Sequence, residues 1–333
     1  MNQPARVEDE EIVSRFEESI QKIKSEIKKK IIGQQKVIDD LLACFLSGGH
    51  CLLIGVPGLA KTTLIQSLSR CLHLDFNRIQ FTPDLMPSDI TGSEILFEDR
   101  ATGIREFKFI RGPIFSNILL ADEINRTPPK TQSALLQAMQ EQEITSSGKT
   151  FELPKPFWVL ATQNPIEQEG TYPLPEAQQD RFMFSIEIGY PQKDEEINIV
   201  KSTTRCSSET INAVITLEDV MLYRDLVWRI PVADSVVNAA VNIVRATRPV
   251  EKECPMDIKN LLTWGAGPRA SQFIILAAKA YALLDKRSTP DIEDVKNAAF
   301  PVLRHRLVRS FHAEVDNVDS DDIIRRVIES VSK

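Results

Sequence analysis

Residues 50–62 decide the fold, and they read HCLLIGVPGLAKT. The apolar run His50–Ile54 predicts a short buried β-strand. Gly55–Thr62 then matches the phosphate-binding pattern G-x-x-x-x-G-K-[ST], except that Ala60 stands where the second glycine is usual. A helical pattern over Thr62–Cys71 would point its N-terminus at the same phosphates. Strand, loop and helix together predict a P-loop; a glycine-containing turn with an unrelated lysine is the alternative.

The loop residues suit the phosphates of a nucleotide. Gly55 and Gly58 let the chain curl its amide N–H groups around anionic oxygens. Lys61 would reach the β- and γ-phosphates, and the Thr62 hydroxyl would ligate Mg²⁺. We therefore expect the nucleotide to be held by Gly55, Val56, Pro57, Gly58, Leu59, Ala60, Lys61, Thr62 and Thr63.

A second apolar strand, Asn117–Ala121, runs directly into the acidic pair Asp122 and Glu123. The carboxyl end of a buried parallel strand is where such sheets bind ligands. Asp122 suits a ligand of Mg²⁺, and Glu123 suits the general base that polarises an attacking water. Ordinary polar residues at the end of a strand are the alternative interpretation.

A third apolar strand, Phe157–Ala161, is followed by Asn164. An amide at the tip of this strand would orient the water near the γ-phosphate, whereas an isolated Asn before a proline only forms a turn. With a further strand at Arg78–Phe81, buried strands alternate with helices, which predicts a parallel sheet covered on both faces. Beyond Pro191 only helical patterns follow. We expect an α/β nucleotide-binding domain over 1–190, including an N-terminal helix, and an all-helical domain over 191–333.

Composition narrows the functional classes. The formal net charge of −7 gives no overall electrostatic attraction to nucleic acid or to an anionic membrane surface. The five cysteines form no C-x-x-C pair and the four histidines are scattered, so neither a disulfide framework nor a zinc site is indicated. No apolar run is long enough to span a membrane, and the polar N-terminus lacks the core of a signal peptide. These features predict a cytoplasmic protein that does not insert into membranes.

Taken together, the motifs resemble those of the MoxR group of AAA+ ATPases, which implies an α/β P-loop core with a five-stranded parallel sheet between helices and a smaller all-helical C-terminal lid domain. The similarity covers nearly the whole chain, from about residue 20 to residue 330. The stretches that carry the resemblance are Gly55–Thr62, Ala121–Arg126, Pro128–Leu136, Ala161–Pro165 and Leu174–Phe182.

The resemblance implies a role for individual residues. Lys61 and Thr62 match the Walker A motif, and Asp122 and Glu123 match Walker B. Further matches are Asn164 with sensor 1, Arg181 with the arginine finger offered to a neighbour's nucleotide, and Arg269 with sensor 2. The segment lining the adenine is matched by Ile31, Ile32, Gly33 and Gln34. From the residues alone, a local ion pair with Asp180 is the favoured interpretation of Arg181, and Arg269 is interpreted as an exposed residue at the start of a helix.

The resemblance also implies an assembly and a biological role. It implies hydrolysis of ATP with Mg²⁺, a hexameric ring of identical subunits, and chaperone-like remodelling, maturation or metal insertion of a client protein, often with a von Willebrand A-domain partner. Hairpin inserts are expected within Ile90–Gly112 and around Thr145–Lys149, with ordinary surface loops as the alternative. A nucleic-acid motor or loader of the AAA+ class is the alternative function; the mixed charge of the two inserts does not favour it.

Overall fold

The computed structural model describes residues 7–98, 105–146, 148–166, 170–204 and 209–331. The strands are β1 (Cys51–Ile54), β2 (Phe76–Gln80), β3 (Gly92–Glu98), β4 (Arg105–Arg111), β5 (Ile118–Asp122), β6 (Glu143–Ser146), β7 (Lys149–Glu152), β8 (Trp158–Gln163), β9 (Phe184–Glu187), β10 (Leu262–Trp264) and β11 (Val308–Arg309). The helices are α1 (Val7–Lys28), α2 (Gln35–Leu46), α3 (Lys61–Cys71), α4 (Pro87–Thr91), α5 (Pro129–Glu141), α6 (Glu176–Gln179), α7 (Lys193–Thr203), α8 (Leu217–Arg229), α9 (Asp234–Ala246), α10 (Met256–Lys259), α11 (Pro268–Leu284), α12 (Ile292–Leu303), α13 (Phe311–Val315) and α14 (Ser320–Val331). Short 3₁₀ turns cover Ile124–Arg126 and Arg304–Arg306.

A five-stranded parallel sheet forms the centre of the molecule, in the order β2-β5-β8-β1-β9. All of β5 is buried, because helices cover both faces of the sheet and leave no position for polar side chains. The sheet confirms the predicted α/β core. One of its strands, β9, was not predicted from the sequence.

The sheet order brings the predicted functional segments to one edge. The P-loop follows β1, Asp122 ends β5, and Asn164 follows β8 by one residue. Since β8 lies between β1 and β5, with Leu53 opposite Thr162 and Ala121 opposite Ala161, these strand ends are neighbours. Parallel strands place their carboxyl ends at the same edge, which is where ligands bind such sheets.

The C-terminal part of the chain is helical, as predicted, with one addition. Helix α11 begins at Pro268 and ends at Leu284, the bounds that the sequence pattern indicates. The addition is a small antiparallel pair, β10 with β11, which an all-helical domain does not contain. One hydrophobic core joins this part to the N-terminal helices; Phe16 of α1, for example, packs edge-to-face on Tyr223 of α8.

Two antiparallel hairpins project from the central part of the chain, as the sequence predicts. One is formed by β3 and β4 and the other by β6 and β7. Phe109 of the first stacks on Phe151 of the second, with ring centroids 4.4 Å apart, so the hairpins contact each other. Asp99 and Gly103 of the first predicted hairpin, and Ser147 of the second turn, lie outside the described residues.

Four of the five cysteines lie in the described part of the chain. Cys44, Cys51, Cys71 and Cys254 are buried free thiols, whereas Cys206 lies outside the described residues. None of the helices in the described part of the chain combines the length and the apolar character that crossing a lipid bilayer requires.

Candidate active site

The P-loop is shaped by residues with left-handed backbone conformation. Gly58 has φ 86° and Ala60 has φ 56°. This conformation favours glycine, which explains why glycine is usual where Ala60 stands. Helix α3 begins at Lys61, immediately after the left-handed residue. The first amide N–H groups of this helix have no partner within the helix, and they face the loop.

Lys61 lies folded over the loop that precedes it. Its Nζ donates hydrogen bonds to the carbonyl oxygen of Gly55 and, at 3.3 Å, to that of Val56. Burial lowers the pKa of Lys61, while the charges of Asp122 and Glu123 act in the opposite direction. The ammonium group is therefore a partly desolvated cation that can exchange backbone carbonyls for phosphate oxygens.

A cavity of about 480 Å³ unites most of the predicted site residues. Its walls are formed by residues 57–63 of the loop and helix start, by Asp122 and Glu123 from the end of β5, and by Thr162 and Asn164 from the end of β8. The structure thus brings together the predicted phosphate-binding, metal-binding and water-activating side chains. Gly55 and Val56 do not line this cavity, but their carbonyl oxygens accept hydrogen bonds from Lys61, which does.

Asp122 is buried and held from two sides. Its Oδ1 accepts a hydrogen bond from Thr162 Oγ1 at 2.5 Å. Its Oδ2 accepts two from Arg78, at 3.0 Å from Nε and 2.7 Å from Nη2. These contacts fix the orientation of the carboxylate and provide the positive charge that a buried carboxylate requires.

Glu123 combines a rare backbone conformation with a constrained carboxylate. Its φ is 57° and its ψ 49°, a region that costs a non-glycine residue about 1 to 2 kcal/mol. Its amide N–H donates to Thr162 Oγ1 at 2.8 Å. The side-chain Oε2 accepts from Gln80 Nε2 at 2.6 Å and from Arg126 Nη1 at 3.1 Å. Such strain persists where the surroundings hold it, and it is common at catalytic positions.

The donor set at this edge of the sheet fits Mg²⁺. Thr62 and Asp122 line the same cavity and offer only oxygen ligands, which hard cations prefer. Within the described residues no cluster of three or more His, Cys, Asp or Glu side chains forms a metal cage. A magnesium ion here would therefore be held by one carboxylate, one hydroxyl, water and the phosphates, the arrangement typical of this ion.

Asn164 lies at the far wall of the cavity and is buried. Its Oδ1 accepts a hydrogen bond from the amide of Ile166 at 3.2 Å. This contact orients the side chain so that its amide nitrogen is the group available to a water or a phosphate oxygen.

Arg181 and Arg269 do not line this cavity. Both lie in a second cavity of about 200 Å³, together with His50, Gln140 and Phe273. Arg181 Nη1 donates to the Leu136 carbonyl at 2.6 Å. The alternative of a local Asp180–Arg181 ion pair does not match the structure, because Asp180 pairs with Arg269 and Arg306 instead.

The segment predicted to line the adenine lies beside the loop. Gln34 Nε2 donates to the Leu59 carbonyl at 3.4 Å, and Gly33 has φ 72°. The carboxylate of Glu195 packs against the Cα of Gly33, where a Cβ would lie 2.2 Å from it. Ile32 and Gly33 are outside the lining of the 480 Å³ cavity, so their contact with adenine stays a prediction.

Four residues contact the acidic pair without a role predicted from the sequence, and one of them, Arg126, binds Glu123. Arg78 and Gln80 hold Asp122 and Glu123, and Thr162 contacts both residues. A signal was present for Arg78 and Gln80, because polar residues at alternate positions near the end of a strand in a covered sheet share one side of that strand. Thr162 directly follows the apolar run of β8, two residues before Asn164, and the sequence analysis assigned a role only to Asn164.

Comparisons with known proteins agree with this geometry. The family model described as "ATPase family associated with various cellular activities (AAA)" matches residues 50–184, and an AAA lid domain model matches residues 256–327. Chaperone MoxR1 of Mycobacterium tuberculosis is 43% identical over 92% of this chain and 80% of its own length. The uncharacterized protein YeaC of Bacillus subtilis is 40% identical over 92% of both chains. A crystal structure of a candidate ATPase from Cytophaga hutchinsonii superposes with a TM-score of 0.89, at 38% identity, over 96% of both chains.

Proposed function

This chain belongs to the MoxR family of AAA+ ATPases, and on that premise we propose that it hydrolyses ATP to ADP and phosphate and uses the cycle to remodel a client protein. The observation that carries the proposal is the 480 Å³ cavity, where Lys61, Thr62, Asp122, Glu123 and Asn164 converge. A P-loop, an acidic pair and a polar amide around one space are what in-line phosphoryl transfer to water requires.

The residues of the cavity divide the chemistry between them. Lys61 and the N-terminal amides of α3 bind the phosphates and stabilise charge on the transferring phosphoryl group. Mg²⁺, held by Thr62 and Asp122, would supply further positive charge at the phosphates. Glu123 accepts the proton of the attacking water, which Asn164 helps to orient. Gln80 and Arg126 both bind Oε2 of Glu123, so the carboxylate presents its other oxygen to that water.

We propose that Arg181 and Arg269 both act on the nucleotide of a neighbouring subunit. Their shared cavity has no residue in common with the P-loop cavity. Because neither arginine lines the P-loop cavity of its own chain, both are available to the nucleotide of an adjacent subunit. Each contact is then head-to-tail, and a head-to-tail contact that closes makes a ring. A ring of identical subunits in which every site is shared would follow from this assignment, and we propose that it is a hexamer, as the resemblance implies.

The division of the chain suggests how hydrolysis would be converted into motion. We take residues 1–190 as the nucleotide-binding part and residues 191–333 as the lid that moves relative to it as the nucleotide changes. A chaperone-like role is supported by the relative named Chaperone MoxR1. The client would be matured, or loaded with a metal or cofactor, in the cytoplasm, with a von Willebrand A-domain protein as partner.

The proposal is tested by phosphate release and by client capture with the same variants. The parent should release phosphate from ATP, whereas Glu123→Gln should bind ATP without turnover, because glutamine cannot act as a base. The Glu123→Gln ring, held in ATP, should retain a specific protein that Lys61→Ala loses. Turnover by Glu123→Gln at the parental rate would contradict the mechanism. Retention of the same proteins by both variants would contradict the remodelling role.

A further inference from the structure

Arg306 ties the lid to the segment that carries Arg181. Its side chain is only 2% exposed, and its guanidinium donates to the carbonyls of Asp180 at 2.9 Å, Phe182 at 2.7 Å and Met183 at 3.2 Å. The same guanidinium lies over the ring of Phe273, in helix α11. A buried arginine that donates to three carbonyls within this four-residue segment fixes the backbone path of residues 180–183.

The carboxylate of Asp180 connects Arg306 to Arg269. Its Oδ1 accepts from Arg306 Nε at 2.8 Å, and its Oδ2 accepts from Arg269 Nη1 at 2.7 Å. One carboxylate therefore lies between two guanidinium groups that would otherwise repel each other. It also keeps Arg269, whose side chain is 47% exposed, next to the segment bearing Arg181.

We propose that Asp180 and Arg306 are positioning residues that hold Arg181 and Arg269 as one unit fixed to the lid, so that both arginines reach the neighbour's nucleotide together. The inference rests on the proposed action of Arg181 in trans. The ion-paired unit of Asp180, Arg269 and Arg306 sets the geometry of Arg181 and Arg269 and transmits lid movement to them.

A purely stabilising role for Arg306 and Asp180 would involve the same contacts. The two roles are therefore distinguished by substitutions that change the hydrogen-bonding geometry and by a control pair. Arginine supplies a planar fork with donors in fixed directions, which lysine does not reproduce. The neighbouring pair of Arg304 with Asp321 offers a matched comparison. Arg304 Nε donates to Asp321 Oδ1 at 2.6 Å and Nη2 donates to Oδ2 at 2.7 Å, in the same 3₁₀ turn, without touching residues 180–183.

The test compares Asp180→Asn and Arg306→Lys with the control Asp321→Asn in full-length assemblies. We expect Asp180→Asn and Arg306→Lys to lower kcat about 10²-fold, since displacing a catalytic group by about 1 Å can cost that much. KM for ATP and the affinity for a fluorescent ATP analogue should change by less than about threefold, because each subunit binds ATP with its own P-loop. Asp321→Asn should lose thermal stability to a similar extent while keeping its kcat.

Mixing separates positioning from simple stabilisation. Asp180→Asn subunits keep Glu123, and Glu123→Gln subunits keep the intact arginine unit, so mixing the two should raise the ATPase rate above that of either alone. Should Arg306→Lys fail to fold, Asp180→Asn decides the question, because its side chain is only partly buried. A kcat loss shared equally by Asp321→Asn, or no rescue on mixing, would overturn the positioning role.

The failure of this inference is distinguishable from the failure of the proposed function. An inactive Arg181→Ala variant beside a fully active Asp180→Asn variant overturns the positioning role and leaves the ATPase mechanism in place. An Arg181→Ala variant with the parental rate overturns both the action in trans and the unit built on it.

Discussion

Replacing Arg181 by alanine should abolish turnover and leave ATP binding intact. Arg181 lines a cavity that contains none of the P-loop residues, so its own subunit's ATP affinity should change by less than about threefold. Loss of an arginine supplied in trans costs about 10³ to 10⁵ in rate, or about 4 to 7 kcal/mol of transition-state stabilisation. Phosphate release at saturating ATP measures this loss directly.

The loss of stability in the same variant should be much smaller. Within its own chain Arg181 donates one hydrogen bond to the Leu136 carbonyl, and its side chain is half-buried. Removing a charged donor of this kind costs on the order of 1 to 3 kcal/mol. The fall in melting temperature should therefore be a few degrees, too little to unfold the variant at the assay temperature.

Mixing Arg181→Ala with Glu123→Gln provides the decisive measurement. If the site is shared, a subunit with alanine at 181 still has Glu123, and its neighbour with glutamine at 123 still offers Arg181. In a random equal mixture roughly one half times one half, or about a quarter, of the interfaces pair two intact halves. The ATPase rate should rise well above either variant alone. With subunit exchange verified separately, an unchanged rate would show that Arg181 acts within its own chain.

Four further outcomes are expected. Lys61→Ala should abolish ATP binding, because the loop loses the cation that faces the β- and γ-phosphates; calorimetric affinity within about threefold of the parent would contradict this. Ala60→Gly should preserve ATP binding and raise the free energy of unfolding by up to about 1 kcal/mol in a denaturant titration, since residue 60 has φ 56°. Burial lowers the pKa of His50 to about 4 and also lowers the pKa of His305, so below about pH 6.5 the unfolded chain binds protons that the native chain does not. Stability should fall as the pH falls from 6.5 towards 4; His50 contributes up to about 1.4 kcal/mol per pH unit, and His50→Asn should remove that contribution while the contribution of His305 stays. A net charge of −7 should prevent strong DNA binding at physiological salt, and submicromolar, salt-sensitive binding with DNA-stimulated ATPase activity would favour the nucleic-acid motor instead.

The central sheet could be predicted because its strands are buried on both faces. Apolar runs such as those of β5 and β8 leave little doubt about their type, and the polar residues that follow them mark the ligand-binding edge. Strand β9 lacked this signal, because Phe184–Glu187 is short and contains a serine and a glutamate. The lid strands β10 and β11 are shorter still, and their pairing depends on the arrangement of the surrounding helices.

The partners of the acidic pair depend on strand order, which local sequence does not contain. Arg78 and Gln80 reach Asp122 and Glu123 only because β2 lies beside β5, with Gln80 opposite Asp122. A different order of the same strands would place these polar side chains elsewhere. Sequence motifs therefore locate the candidate reacting groups, whereas the residues that orient them depend on the topology of the sheet.

The arginines illustrate the same limit over a longer range. From the sequence, the nearest partner for Arg181 is Asp180, and the residues alone favour a local ion pair. In the structure Asp180 pairs instead with Arg269 and Arg306, which lie 89 and 126 positions further along the chain. These two partners come from the lid, whereas Arg181 and Met183 also donate to the carbonyls of Leu136 and His50 in the α/β core, so the Arg181 segment lies where the lid meets that core. A lid that moves with one subunit's nucleotide would then shift the arginines offered to the next subunit, which would couple neighbouring sites around the ring.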